Sequence, residues 1–174
     1  MPRPIGLKLG FEITVSHPAE TDIPSILEIE HDSQPEPWTG RAFQEEISRA
    51  GSYLLAAWVR TLSEPSGGGP SGEIAGYICF WSVQEEIQIL NIAVRKALRR
   101  RGIARRLIEQ AIRAGLEQHA RIVSLEVRES NLAARKLYES CGFRVVGERP
   151  NYYGIQKESA ILMELELVSD YKRT

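Results

Sequence analysis

The run Arg99-Arg100-Arg101-Gly102-Ile103-Ala104 joins two patterns of different period. Before it, Ile87 to Val94 is a strand-like apolar run; after it, Ile103, Leu107, Ile108, Ala111, Ile112 and Leu116 recur on one helical face. A strand, a turn of small residues and a helix start together form an anion site. The first backbone N–H groups of the helix lack an intrahelical partner, and the helix dipole adds partial positive charge beside them. Gly102 and Ala104 keep the approach clear of side chains, so the turn is expected to hold a phosphate-bearing molecule. Arg95, Lys96, Arg99, Arg100, Arg101, Arg105 and Arg106 crowd the same stretch. Read alone, this cluster fits a phosphate ligand, a solvated face or a nucleic-acid patch.

The elements that must position this turn can be read along the chain. The pattern gives a first strand at Phe11 to His17 and a helix with Ile23, Ile26 and Leu27 on one face, Glu28 and Glu30 on others. Thr21 or Asp22 is its expected cap. A loop, Ser33 to Thr39, with two prolines and Trp38, leads to a second helix near Gly40 to Ala50. Strands follow at Tyr53 to Thr61 and Glu73 to Val83. Between them, residues 63–72 are so rich in Gly, Pro and Ser that a flexible hairpin loop is expected. After the main helix come a short strand, Val123 to Val127, and a helix capped by Ser130 or Asn131 and stopped at Gly142. Last are strands at Phe143 to Gly147 and Ala160 to Leu167. The order β-α-α-β-β-β-α-β-α-β-β is α+β.

Composition narrows the class. At 174 residues the chain fits a single domain, with residues 1–9 and 168–174 expected to fray. A formal charge of -1 argues against nucleic acid as the main partner. No apolar run approaches the roughly 20 residues that span a bilayer, and Met1-Pro2-Arg3-Pro4 lacks a signal-peptide core. A cytoplasmic protein without membrane contact is expected, with Cys79 and Cys141 as buried free thiols. His17, His31 and His119 have no spacing for a triad or a metal, so no metal is expected. His119 reads as part of the main helix's last turn.

The pattern resembles the GNAT superfamily of acyl-CoA-dependent N-acetyltransferases over nearly the whole chain. Its CoA motif, Gln/Arg-x-x-Gly-x-Gly/Ala, stands here as Arg99 to Ala104. More specific are Leu125-Glu126-Val127-Arg128, Ser130-Asn131, Ala133-Ala134 and Leu137-Tyr138-Glu139-Ser140-Cys141-Gly142-Phe143. With Asn91-Ile92-Ala93-Val94, Pro37-Trp38 and Asn151-Tyr152-Tyr153, the match narrows to the RimI type, which acetylates the N-terminal α-amine of ribosomal proteins. The resemblance implies a mixed, mostly antiparallel sheet with splayed fourth and fifth strands, flanked by about four helices. It implies acetyl-CoA as donor, pantetheine along Ile92, Ala93 and Val94, and pyrophosphate on the turn formed by Arg99, Arg100, Arg101, Gly102, Ile103, Ala104 and Arg105. That gives the basic cluster a partner without nucleic acid. It also brings Asn131 to the cofactor, a role compatible with its reading as a cap.

The same resemblance makes Glu126 the general base and Tyr138 the acid that protonates the thiolate. Read without it, Glu126 is as well a strand glutamate paired with Arg128 or an outer lysine, and Tyr138 a half-buried packing residue. Flanked by Leu125 and Val127, the carboxylate is expected to be desolvated, which suits a base. Tyr138 follows Asn131 by two helical turns, so both can face one side. Trp38, Tyr152 and Tyr153 are the expected acceptor contacts. The implied activity is acetyl transfer to a protein N-terminal α-amine, the acceptor being the N-terminal alanine of a small-subunit ribosomal protein. Alternatives are a lysine ε-amine or small-amine acetyltransferase and a non-catalytic acyl-CoA-binding module. An α-amine has a reference pKa of roughly 7.7–8.0 against about 10.4 for lysine, so it needs only a modest base.

Overall fold

A computed structural model describes residues 11–61, 72–154 and 157–167, with the side chain of residue 61 outside that set. The expected 63–72 loop lies outside the described residues except for Gly72, and so do both expected frayed ends. The elements are β1 (Phe11–Ser16), α1 (Ile23–Ser33), α2 (Gly40–Ser48), β2 (Ser52–Thr61), β3 (Glu73–Val83) and β4 (Glu86–Val94). They continue with α3 (Ile103–Glu117), β5 (Ile122–Arg128), α4 (Leu132–Ser140), β6 (Arg144–Tyr153) and β7 (Glu158–Glu166). The seven strands form one sheet in the order β1-β2-β3-β4-β5-β7-β6. Every neighbouring pair is antiparallel except β4 and β5.

The parallel pair is short. β4 and β5 are in register from Glu86 opposite Ile122 to Ile89 opposite Leu125, and no pairing follows. The rest of β4, through Val94, and of β5, through Arg128, separate into the expected splay. A bulge at Leu90 marks the same point: Phe80 pairs with Ile89, but Cys79 pairs with Asn91. An extra residue in one strand inverts the alternation of the side chains beyond it. Thus Ile87 and Ile89 face one core, and beyond the bulge Ile92 and Val94 do, while Ala93 packs in the other.

Helices cover both faces. α3 and α4 lie over a core containing Ile103, Leu107, Ile108, Tyr138, Ile78, Phe80, Leu125 and Met163. α1 and α2 lie over a second core of Ile23, Ile26, Ile29, Phe43, Tyr77 and Trp58. Burial on β5 alternates strictly, with Val123, Leu125 and Val127 inside and Ser124, Glu126 and Arg128 half-open on the α1/α2 face.

Several expectations shift. β6 runs past its expected end at Gly147 to Tyr153, because Tyr153 pairs with Glu158 after an irregular stretch from Arg149, so Tyr152 and Tyr153 end a strand. His119 lies beyond α3, with φ of 57° after the C-cap Gln118, because the chain must reverse there toward β5. Cys141 is only partly buried at the end of α4, whereas Cys79 is buried; both are free thiols. Glu30 is fully buried. It falls four residues after Ile26 and seven after Ile23, which puts it on the inner face of α1.

Candidate active site

The open edge of β4 carries polar backbone. A Cβ on Gly76 would come within 2.7 Å of the Ala93 carbonyl, so that carbonyl lies against β3. Backbone groups alternate sides along a strand, which turns the carbonyls of Ile92 and Val94 the other way, toward the splay. Side chains take them there: Gln34 Nε2 donates to Ile92 O at 3.3 Å and Arg99 Nε to Val94 O at 3.0 Å. Each carbonyl has a second lone pair for a ligand amide.

The basic turn closes one end of this edge. Arg100 (φ 64°) and Gly102 (φ 82°) are both left-handed and bracket Arg101. Left-handed residues in such a turn point successive N–H groups into one concavity. Gly102 is the N-cap of α3, has no side chain to offer, and a Cβ there would meet nothing within 4 Å. The first N–H groups of α3, at Ile103, Ala104 and Arg105, have no backbone partner among the described residues. This is a ready anion cradle.

The arginine side chains are arranged differently from a pooled phosphate patch. Arg99 turns back to Val94 O and to Ser33 Oγ, the latter at 3.0 Å. Arg101 lies over the Phe11 ring at 5.4 Å. Arg105 reaches the end of α4, with Nη2 donating to Ser140 Oγ at 2.8 Å. The turn therefore contributes backbone donors foremost, while three of its guanidinium groups pin neighbouring elements.

Glu126 follows Leu125, the last β5 residue paired with β4, and so borders the splay. The alternation of β5 turns it away from the apolar core, so the expected desolvated setting is not found. Its side chain is 30% exposed and pairs with Arg149 Nη2 at 3.0 Å, a partner on β6 that no sequence spacing indicates. Tyr138 is buried on α4, its ring 5.9 Å from that of Phe143. Burial, then the neighbouring Tyr153 and Cys141, holds its phenol well above the usual tyrosine range. Its hydroxyl has no hydrogen-bond partner among the described residues, and burial keeps it protonated.

Asn131 caps α4, its Oδ1 accepting from Ala134 N at 3.2 Å, which leaves Nδ2 available as a donor. Of the expected acceptor contacts, Trp38 packs at 5.4 Å against Phe43, and the Tyr152 and Tyr153 rings meet edge to face at 5.0 Å. Arg149 lies over Tyr152 at 5.0 Å and Arg128 over Tyr153 at 4.1 Å. Arg128 also pairs with Glu158 at 3.3 Å and with Glu36 at 3.4 Å, linking the 33–39 loop to the β6–β7 hairpin. Burial, then the charge of Glu126, raises the Tyr153 phenol, which places these two groups in one electrostatic neighbourhood.

The model of the acetyltransferase (GNAT) family matches residues 23–143, from the start of α1 to the residue before β6. This chain belongs to that family. It is 34% identical over 144 residues to a putative ribosomal protein bS18-alanine N-acetyltransferase of Bacillus subtilis, covering 82% of this chain and 87% of that protein. It is 32% identical over 156 residues to the ribosomal protein bS18-alanine N-acetyltransferase of Escherichia coli, covering 88% and 97%. The crystal structure of the ribosomal-protein-S18-alanine N-acetyltransferase from Escherichia coli superposes with a TM-score of 0.75 at 28% identity, covering 94% of this chain and all of that one. Ard1 from Thermoplasma volcanium shares the fold, with a TM-score of 0.78 at 24% identity over 90% of this chain and 99% of that one. The GNAT acetyltransferase is thus an α+β protein with the splayed sheet of its family. Among the described residues no helix is long and apolar enough to cross a membrane, and no group of His, Cys, Asp and Glu is arranged to hold a metal.

Proposed function

We propose that this acetyltransferase moves the acetyl group of acetyl-CoA to the N-terminal α-amine of a protein. The open β4 edge, ending in an uncapped anion cradle, is the observation that carries the reading. An extended amide-bearing arm can pair with Ile92 and Val94 while a pyrophosphate meets the N–H groups of the turn from Arg99 to Arg105. Asn131 Nδ2 supplies a further donor to the arm, and Val94 N–H polarises the thioester carbonyl as an oxyanion-type donor.

The amine attacks the thioester carbon directly; a C–N bond forms as the C–S bond breaks. Glu126, half-open at the splay, accepts the ammonium proton directly or through one water. Tyr138 donates toward the departing sulfur. A free thiol titrates at about 8.5 and a free phenol at about 10, so full proton transfer is already uphill. Burial of Tyr138 widens that gap, so its contribution is a hydrogen bond that stabilises the thiolate more than a completed transfer. Trp38, Tyr152 and Tyr153 line the acceptor side.

The names of the two curated relatives supply the acceptor of this proposal, the N-terminal alanine of ribosomal protein bS18. The test is mass spectrometry after incubation with acetyl-CoA and two peptides. One has a free N-terminal alanine and no lysine; the other has a blocked N-terminus and an internal lysine. Acetylation of the first alone supports the reading. Acetylation of the second alone keeps the family and overturns the acceptor.

A further inference from the structure

Glu30 on α1 is a fully buried carboxylate with no cationic partner among the described residues. Taking a carboxylate out of water costs several kcal/mol unless donors replace the lost hydration. Here the donors come from three separate elements. Tyr77 Oη on β3 donates to Oε2. Trp38 N–H, in the 33–39 loop, donates to Oε1 at 2.8 Å, and Asn91 Nδ2 on β4 donates to the same oxygen at 3.1 Å.

Asn91 reaches Glu30 because the Leu90 bulge inverts the side-chain phase of β4 and turns residue 91 onto the α1 face. Gln34, the C-cap of α1, completes the cluster. Its Nε2 donates to Asn91 Oδ1 at 2.8 Å and to Ile92 O at 3.3 Å. One buried unit thus grips a carbonyl on the open edge of β4 and a backbone N–H of the acceptor-side loop.

We propose that Glu30 is a positioning residue that fixes the 33–39 loop against the open edge of β4, holding the acceptor peptide in register with the thioester. This inference rests on the acetyl-transfer reading above. β4 has its own ladder to β3, whereas the Trp38 N–H has the Glu30 carboxylate as its hydrogen-bond partner. Loss of the carboxylate therefore acts on the acceptor side first. A displacement of about 1 Å from productive geometry can cost on the order of 100-fold in rate.

The experiment compares Glu30→Leu, Glu30→Asp and Glu30→Gln in steady-state kinetics with acetyl-CoA and the alanine peptide, together with amide hydrogen exchange at Trp38. Glutamine can accept from Trp38 and Asn91 through its oxygen and donate to Tyr77 through its nitrogen. It is expected to stay within about threefold of the unaltered enzyme in peptide KM. Leucine is expected to raise peptide KM at least about tenfold, to leave acetyl-CoA KM within about threefold, and to abolish protection of the Trp38 amide. Aspartate retracts the oxygens and gives the same pattern to a lesser degree, which keeps the test alive if the leucine variant fails to fold. A folded leucine or aspartate variant with unchanged peptide KM and a protected Trp38 amide would overturn the proposal. So would a glutamine variant as impaired as leucine. If the unaltered enzyme acetylates no α-amine, the functional reading falls instead, and Trp38 exchange alone judges the tie: protection lost supports it, protection retained overturns it.

Discussion

Glu126 and Tyr138 lie on opposite faces of the central sheet. The inward side chains of β5 belong to the α3/α4 core with Tyr138, and strict alternation sends Glu126 to the α1/α2 face. A continuous sheet would keep two such groups apart. Here the sheet is open where β4 and β5 cease to pair after Ile89 and Leu125, and a molecule in that opening has access to both faces. The proposed proton acceptor and proton donor are thereby held on different sides of that opening.

Glu126→Gln removes the proposed base and keeps the shape. General-base catalysis contributes about 100- to 10,000-fold, so kcat is expected to fall by that order while acetyl-CoA affinity, measured by calorimetry, holds. Arg149→Met is the control, since its ion pair with Glu126 is half-exposed. Exposed pairs are worth about 0.2–1 kcal/mol, so a thermal melt should hardly move and turnover should suffer less than with Glu126→Gln. Equal turnover in Glu126→Gln and the unaltered enzyme would remove Glu126 from the mechanism.

Tyr138→Phe tests the donor through pH. Burial keeps the phenol protonated well above the ordinary tyrosine range, so the donor form persists as pH rises. The unaltered enzyme should show no loss of kcat assignable to this group up to about pH 10, the value of a free phenol. Phenylalanine should lower kcat at every pH without adding or removing an alkaline limb. An alkaline limb near neutrality that vanishes in Tyr138→Phe would contradict this assignment.

The fold was legible because its signals are local. The glycine expected to open the main helix is the N-cap of α3, Asn131 is one of the two expected caps of α4, and the periods of α3 and β7 match their buried faces. The candidate site was legible only where motif residues lie close in sequence. Arg149 meets Glu126 through β6–β7–β5 pairing, and nothing in its neighbours marks that contact. Glu30 carried a signal in its spacing from Ile23 and Ile26, but a charged residue at a core position reads as solvent-facing until its donors are known. The bulge at Leu90, which alone brings Asn91 to Glu30, leaves no mark in an apolar run.

Stability should decline at alkaline pH through buried thiols and phenols. Burial foremost pushes the Cys79 thiol up to about 12, against roughly 8.5 for a free thiol in the unfolded chain. The native state then holds a proton that the unfolded state has lost. This contribution is complete below the unfolded value and is lost as pH rises toward the folded one, at up to about 1.4 kcal/mol per pH unit. Denaturant midpoints between pH 8.5 and 10 should fall, and Cys79→Ala should flatten that slope while lowering stability at neutral pH. An unchanged slope in the variant would show that Cys79 does not carry the effect.

Gly102→Ala separates the stability of the turn from its ligand. With φ at 82°, alanine must adopt a left-handed backbone, at a cost of about 1–2 kcal/mol. For a chain of this length that lowers the melting temperature by roughly 2–8 °C, using about 2–4 °C per kcal/mol. The added Cβ meets no protein atom within 4 Å, so within the chain its methyl is sterically free. It would, however, stand in the path of a phosphate approaching the N–H groups of Ile103, Ala104 and Arg105. A shallow loss of stability beside a drop in CoA affinity of at least about tenfold, roughly 1.4 kcal/mol, is the expected result. If CoA affinity stays unchanged with the same stability loss, the pyrophosphate does not lie on this turn, and the cradle at the start of α3 has another use.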